Sequence, residues 1–342
     1  MTQARADSKA GRWGAPRLRA LLSGLALAAC GPKTPATVAP VDVPSVVDAG
    51  AAKVEAPPPE KRRADLDYVL KGRPFASPVV RATVNGVETT MMVDTGANTH
   101  MLTGWLARKA NVETKQIGDS GTDHTGKAIR ARRADRPNIA IEGWGAIADR
   151  PTLVVDVPDK LEQLGIGGFL SPQQLATADD LVVLDLERAE MRTAKPSEVE
   201  AMPGRVLGRG PARTCSEQDA NIGRTLAFVV KGSLETHDVD LLVDTGAPMT
   251  DLLGISAAGK ALGPKTVENK DEIYAASGKV KPRLFKGGKL VLGEVEAKLD
   301  VNILAGANDP FCPRDGVVAM DVLRHCTLVL SPTSITGTCK AQ

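Results

Sequence analysis

A tetrapeptide that occurs twice constrains this chain more than any other feature of it. Asp94-Thr95-Gly96-Ala97 and Asp244-Thr245-Gly246-Ala247 each follow an apolar run, Met91-Met92-Val93 in one case and Leu241-Leu242-Val243 in the other. The flanks repeat too. Val79 to Gly86 alternates as a strand and ends in an Asn85-Gly86 hairpin signal, and the return strand from Thr89 delivers the first Asp. Ala227-Phe228-Val229-Val230, a turn and Val239 to Val243 deliver the second. Downstream, Thr125-Gly126-Lys127 matches Ser277-Gly278-Lys279, and Ile139-Ala140-Ile141 matches Leu290-Val291-Leu292. The stretch Ile166-Gly167-Gly168 to Leu175 matches Val317 to Leu323, with Gly168 paired to Ala319. Each copy closes on a hairpin pattern, 181–193 and 327–338. Motifs kept in one order at a nearly fixed offset define a duplicated, β-rich unit.

With 342 residues there is room for two such units of roughly 100–150 residues each. The copies are expected at 66–195 and 215–342, joined by the Pro- and Gly-rich stretch 196–214. Aromatic residues are only 3% of the chain, so its cores must rest on Val, Leu, Ile and Ala. Helical patterning is confined to short pieces at 103–110, 171–177, 256–261 and 320–324. The charge is balanced, 43 Lys and Arg against 41 Asp and Glu, which argues against a nucleic-acid binder and against an acidic disordered chain.

Residues 1–29 read as a secretory signal: a basic stretch to Arg19, an apolar run from Leu21 to Leu27 and then small residues. That run is too short to span a bilayer. Leu27-Ala28-Ala29-Cys30 resembles the bacterial lipobox, which implies acylation of Cys30 as the mature N-terminus. Since Gly31 rather than Asp follows, the resemblance also implies delivery to the outer membrane of a double-membraned bacterium, with the lipid bilayer as a partner. The leader carries a surplus of four positive charges, so without it the net charge moves from +2 to −2. Residues 30–65, with seven prolines among Ala and Val, read as an extended tether.

Four cysteines remain, and an even count in an exported chain favours disulfides. If 331–334 forms a turn, Leu330 opposes Ile335, and the same register sets Cys326 opposite Cys339. That pairs Cys326 with Cys339 and leaves Cys215 for Cys312. No zinc-type spacing occurs, and the four His are scattered.

A buried apolar strand that ends in Asp-Thr-Gly presents its carboxyl from a rigid, partly dry support. The Gly allows a tight turn, and the Thr hydroxyl can lock two such loops across a two-fold axis. One Asp-x-Gly turn is ordinary in a β protein; two on equivalent strands are not. The pattern resembles the pepsin-like and retropepsin-like aspartic proteases over about residues 75–340. The resemblance implies an all-β acid protease fold, two homologous barrel-like lobes around a central cleft. It also implies Asp94 and Asp244 as the catalytic pair, Thr95 and Thr245 as interlocking hydroxyls, and Gly96, Ala97, Gly246 and Ala247 as loop support. Gly168 and Ala319 then belong to the element that crosses behind each loop, where Ala319 departs from the family's Gly. Two carboxyls at one site hold a single proton, and such a pair hydrolyses peptide bonds with an activated water, without metal or organic cofactor. Ala at 97 and 247, as in the retroviral type, withholds a hydroxyl from the anion, which predicts an optimum at about pH 5–6.5.

Flap candidates follow from the same order: Thr125 and Gly126 in the first copy, Ser277 and Gly278 in the second, with Tyr274 as the stand-in for a flap tyrosine. Arg130, Arg132, Arg133 and Arg136 read as a solvated strand face, or else as a preference for acidic peptides or anionic lipid. The leading expectation is a lipid-anchored, monomeric, two-lobed endopeptidase acting on extended or unfolded protein. A non-catalytic relative that binds an extended peptide at the envelope stays open.

Overall fold

Asn85 and Gly86 take φ values of 49° and 79°, the left-handed conformation that a two-residue turn between twisted strands requires. They join the strand Arg73–Val84 to the strand Val87–Val93, in register from Val84↔Val87 to Val79↔Met92. The second copy repeats the arrangement. Gly223–Leu234 pairs with His237–Val243 from Leu234↔His237 to Val229↔Leu242. In each return strand the side chains alternate. Met91 and Val93 enter the main core and Met92 leaves it; Leu241 and Val243 enter and Leu242 leaves.

The structure is a computed structural model that describes residues 61–123, 128–147, 150, 152–199, 205–219, 222–270, 273–275 and 278–340. The leader, Cys30 and most of the tether lie outside these residues. Among the described residues no helix is long and apolar enough to cross a membrane.

The fold is all-β. The first copy builds a ten-stranded sheet and the second an eight-stranded one. A third sheet of six strands is shared between the copies. Its centre is the pairing of the two closing hairpins, Leu181–Asp185 against Cys326–Leu330, with Val182↔Leu330 and Leu184↔Leu328 in register. Val182, Leu184, Leu328 and Leu330 are fully buried, and each such side chain contributes about 1.5–3 kcal/mol. This sheet fixes the two copies to each other.

Its edges extend the expected segment boundaries. Arg63–Asp65 pairs with Glu190–Ala194, so the end of the stretch read as tether is a strand of this sheet. Arg205–Val206 pairs with Ile335–Cys339, and Leu207 bridges Gly293, so part of the connecting stretch 196–214 is itself a strand. The expected short helices occur at Gly104–Lys109, Ala257–Leu262 and Met320–Leu323, with a 3-10 turn at Pro172–Leu175. A further helix, Asp159–Leu164, belongs to the first copy alone.

Both disulfides form as the hairpin register implies. Cys326 stands opposite Cys339 in the ladder and is bonded to it, with Leu330 opposite Ile335; Cys215 is bonded to Cys312.

Candidate active site

Each Asp loop leaves its strand at a point where a parallel neighbour supports it. Gly168↔Met91 and Leu170↔Val93 place one crossing strand beside the first Asp, and the Asp94 N–H donates to the Leu170 carbonyl at 2.9 Å. Leu241↔Gly316 and Val243↔Val318 do the same in the second copy, where the Asp244 N–H donates to Val318 at 3.0 Å. This register corrects the expected pairing of Gly168 with Ala319: the counterpart of Gly168 is Gly316, and the counterpart of Ala319 is Ser171. The physical requirement is the same at both glycines. A Cβ on Gly168 would lie 2.5 Å from the Met101 carbonyl oxygen, and one on Gly316 would lie 2.0 Å from that of Asp251. The Gly requirement of the crossing strand is therefore met in both copies, and Ala319 displaces nothing.

The two loops lock symmetrically. Thr95 Oγ1 donates to the Val243 carbonyl at 2.7 Å and accepts the Thr245 N–H at 3.0 Å. Thr245 Oγ1 donates to Val93 at 2.7 Å and accepts the Thr95 N–H at 3.1 Å. Both Thr side chains are fully buried, where a satisfied polar network holds a unique geometry.

Above this lock the carboxyls meet. Asp94 Oδ1 accepts from the Gly96 and Ala97 N–H groups at 2.8 and 3.1 Å, and Asp244 Oδ1 from Gly246 and Ala247 at 2.8 and 3.0 Å. Each Gly lies against the other copy's Asp: a Cβ on Gly96 would come within 2.5 Å of the Asp244 carboxyl carbon, and one on Gly246 equally close to that of Asp94. Asp94 is pushed well above the ordinary carboxylate range. The cause is first its burial, then the Asp244 charge and the hydrogen bond between the two carboxyls, against the opposing pull of the loop N–H groups.

The supports behind the loops differ between the copies. In the first, the Ser171 N–H donates to Nδ1 of His100 at 3.1 Å; in the second, the Ala319 N–H donates to Thr250 Oγ1 at 3.2 Å. His100 is fully buried, and its burial and the Arg150 charge lower its pKa to about 3, so the imidazole is neutral. Thr250 Oγ1 donates to Asp321, whose pKa is raised by burial. Gln173 Nε2 donates to the carbonyls of Thr95, Ala97 and Leu226, tying the first loop to a strand of the second copy. Ser77 Oγ donates to the Gly246 carbonyl at 2.9 Å, from a position that Ala227 occupies in the other copy. None of these supports carries a motif of its own; the offset of 150 residues is the signal that sets His100 against Thr250 and Ser77 against Ala227.

The carboxyl pair forms part of the wall of a cleft of about 520 Å³. Two hairpins contribute to its rim. Thr114–Thr122 pairs with Ala128–Ala134, and Asp123 and Ile129 line the cleft. Ile273–Ala275 pairs with Gly278–Val280, and Ile273 lines it from the other copy. Of the flap candidates, Thr125, Gly126 and Ser277 lie outside the described residues. Gly278 opens its return strand at φ 121°, and Tyr274 stands in the strand before it. Ile129 and Ala131 line the cleft, so alternation puts Arg130 and Arg132 on the opposite face, where Arg132 pairs with Asp156 at 2.9 Å. Among the described residues no group of three or more His, Cys, Asp or Glu side chains is placed to hold a metal ion.

Residues 80–170 match the family model for aspartyl protease, a span that includes the first Asp loop and the strand crossing behind it. Among solved structures, the aspartic proteinase from Irpex lacteus aligns with a TM-score of 0.44 and 12% sequence identity, covering 82% of this chain and 98% of that one. No curated protein matches the chain in sequence.

Proposed function

We propose that the protein is an aspartic endopeptidase whose catalytic groups are Asp94 and Asp244. The observation that carries this reading is the carboxyl pair itself: two acids hydrogen-bonded to each other from symmetric, mutually locked loops, with Asp94 raised by burial and by its partner's charge. A pair of this kind keeps one proton between its two members over a range of pH, and only pair pKa values are meaningful. The ionised member takes a proton from a water as that water attacks the peptide carbonyl. The protonated member donates to the carbonyl oxygen and then supplies a proton to the leaving nitrogen. The Gly and Ala N–H groups that hold each Oδ1 orient the carboxyls and spend no reorganisation during the reaction.

The substrate class is an extended or unfolded polypeptide, since the cleft is bordered by the hairpins of both copies. The Cys30 reading adds an envelope location with a lipid anchor to this proposal. The test is cleavage of a reduced, unfolded protein by the purified protein between pH 3 and 8, with and without a statine-type inhibitor. Activity should peak at about pH 5–6.5, fall on both sides and disappear with the inhibitor. Folded protein that cleaves nothing at any pH would overturn the reading in favour of a peptide-binding role for the cleft.

A further inference from the structure

The turn Pro172–Leu175 and the helix Met320–Leu323 stand at equivalent places behind the two Asp loops. The strands that lead to them share one register, Leu170↔Val93 in the first copy and Val318↔Val243 in the second. Yet they brace their loops differently. In the second copy the Met320 N–H donates to the Ala247 carbonyl at 3.1 Å. Its counterpart is Pro172, which has no N–H to give. The Gln173 side chain supplies the donor instead: Nε2 reaches the Ala97 carbonyl at 2.8 Å, that of Leu226 at 3.0 Å and that of Thr95 at 3.1 Å. Beside it, Gln174 Nε2 donates to the carbonyls of Asn98 at 2.8 Å and Arg224 at 2.9 Å, and the Leu226 N–H donates to Asn98 at 3.0 Å. Arg224 and Leu226 belong to the second copy. Two side-chain amides thus gather carbonyls of the first Asp loop and of a second-copy strand.

We infer that Gln173 and Gln174 are positioning residues, which set the Asp94 carboxyl against Asp244 by holding the first loop to the copy that carries its partner. Gln173 is not among the residues that line the cleft, so it acts through the loop and not on a substrate. By way of Thr95 and Ala97 it holds the segment whose Gly96 and Ala97 N–H groups fix Asp94 Oδ1 at 2.8 and 3.1 Å. Its orientation is determined by the same carbonyls. Gln173 is 1% exposed, and its Oε1 is buried and accepts no hydrogen bond among the described residues. A buried acceptor left so is costly, but turning the amide over would set that oxygen against three carbonyl oxygens. The residues at the equivalent places in the second copy do not replace this brace. Val322 has no polar side chain, and the Asp321 carboxyl accepts from the Thr250 N–H at 2.9 Å and the Thr250 hydroxyl at 2.7 Å. The brace is a property of the first loop, added to the Thr lock that both loops share.

For turnover the inference rests on the peptidase reading, so the carboxyl pair is also read without substrate. Gln173→Met keeps the length of the side chain and removes its donors. With the loop released the two carboxyls interact less, so the upper pKa of the pair falls and the lower one rises. Carbon-13 NMR of Asp-labelled protein, assigned with Asp94→Asn and Asp244→Asn, should show the two steps closer by about one pH unit or more. On a peptide, kcat should fall about ten- to hundredfold, while KM stays within about threefold, since no ground-state contact is removed. Gln173→Glu restores one donor at pH 5, where burial among carbonyl oxygens keeps the acid protonated, and should retain more kcat there than Gln173→Met. Gln174→Leu, which releases Asn98, should move the titration and kcat in the same direction and by less. Folded Gln173→Met whose pair titrates as in the wild type overturns the brace. If Gln173→Met does not fold, a wild-type titration in Gln174→Leu overturns it equally. A wild-type protein that cleaves nothing overturns the peptidase reading and leaves the titration to decide the brace.

Discussion

Replacing Thr95 with Val keeps the branched shape of the side chain and removes one hydroxyl, and the lock between the Asp loops makes the consequence calculable. That hydroxyl accepts the Thr245 N–H at 3.0 Å and donates to the Val243 carbonyl at 2.7 Å, in a site with no solvent exposure. Without it a buried N–H loses its partner, at about 1–3 kcal/mol, and a carbonyl loses a bond worth about 0.5–1.5 kcal/mol. The expected loss is therefore about 2–4 kcal/mol. Thr245→Val removes the mirror pair, at 3.1 and 2.7 Å, and should cost the same to within about 1 kcal/mol. Urea unfolding followed by circular dichroism reads both values. Because the lock also sets the distance between the carboxyls, kcat/KM should fall on the order of 10- to 100-fold in each variant. A loss below about 0.5 kcal/mol in either variant would refute the reasoning, and so would clearly unequal losses in the two.

Two further outcomes follow from the loops. Gly96→Ala and Gly246→Ala each drive a methyl against the other copy's carboxyl, so both should lower kcat on the order of 100-fold while the far-ultraviolet spectrum is kept; full activity in either would contradict the close approach. Asp94→Asn bears on stability. The raised pKa of Asp94 in the folded state means that its stability contribution is complete below the unfolded value of about 3.9 and is lost as pH rises through the folded value. The Asn variant should thus melt above the wild type at pH 7–8, with the gap closing towards pH 4, and a gap that widens on acidification would contradict the assignment.

Much of the site was legible because duplication turns a weak local motif into a strong pair. The two Asp loops, the closing hairpins and the Cys326–Cys339 register all follow from alternation and turn chemistry near one another in sequence. The contacts between copies did not. Nothing local announces that 181–185 pairs with 326–330, or that Arg205–Val206 joins the same sheet, since ladders between distant strands leave no spacing to read. The Gly168 and Ala319 correspondence slipped by three residues because small residues stand at both positions; what fixes the register is the carbonyl that a Cβ would strike, and that is a tertiary fact. The helix Asp159–Leu164 escaped because it has no counterpart in the second copy, although its Leu161 and Leu164 line the cleft.

The central claim is that Asp94 and Asp244 act as one unit that shares a proton. The direct measurement is a kinetic cycle with Asp94→Asn, Asp244→Asn and the double substitution, assayed on one peptide at the pH optimum. Groups that act as a unit are grossly non-additive, so each single variant should lose essentially all activity and the double should be no worse than either. A single variant that retains a substantial fraction of the wild-type kcat, or two partial losses that multiply in the double, would contradict the account.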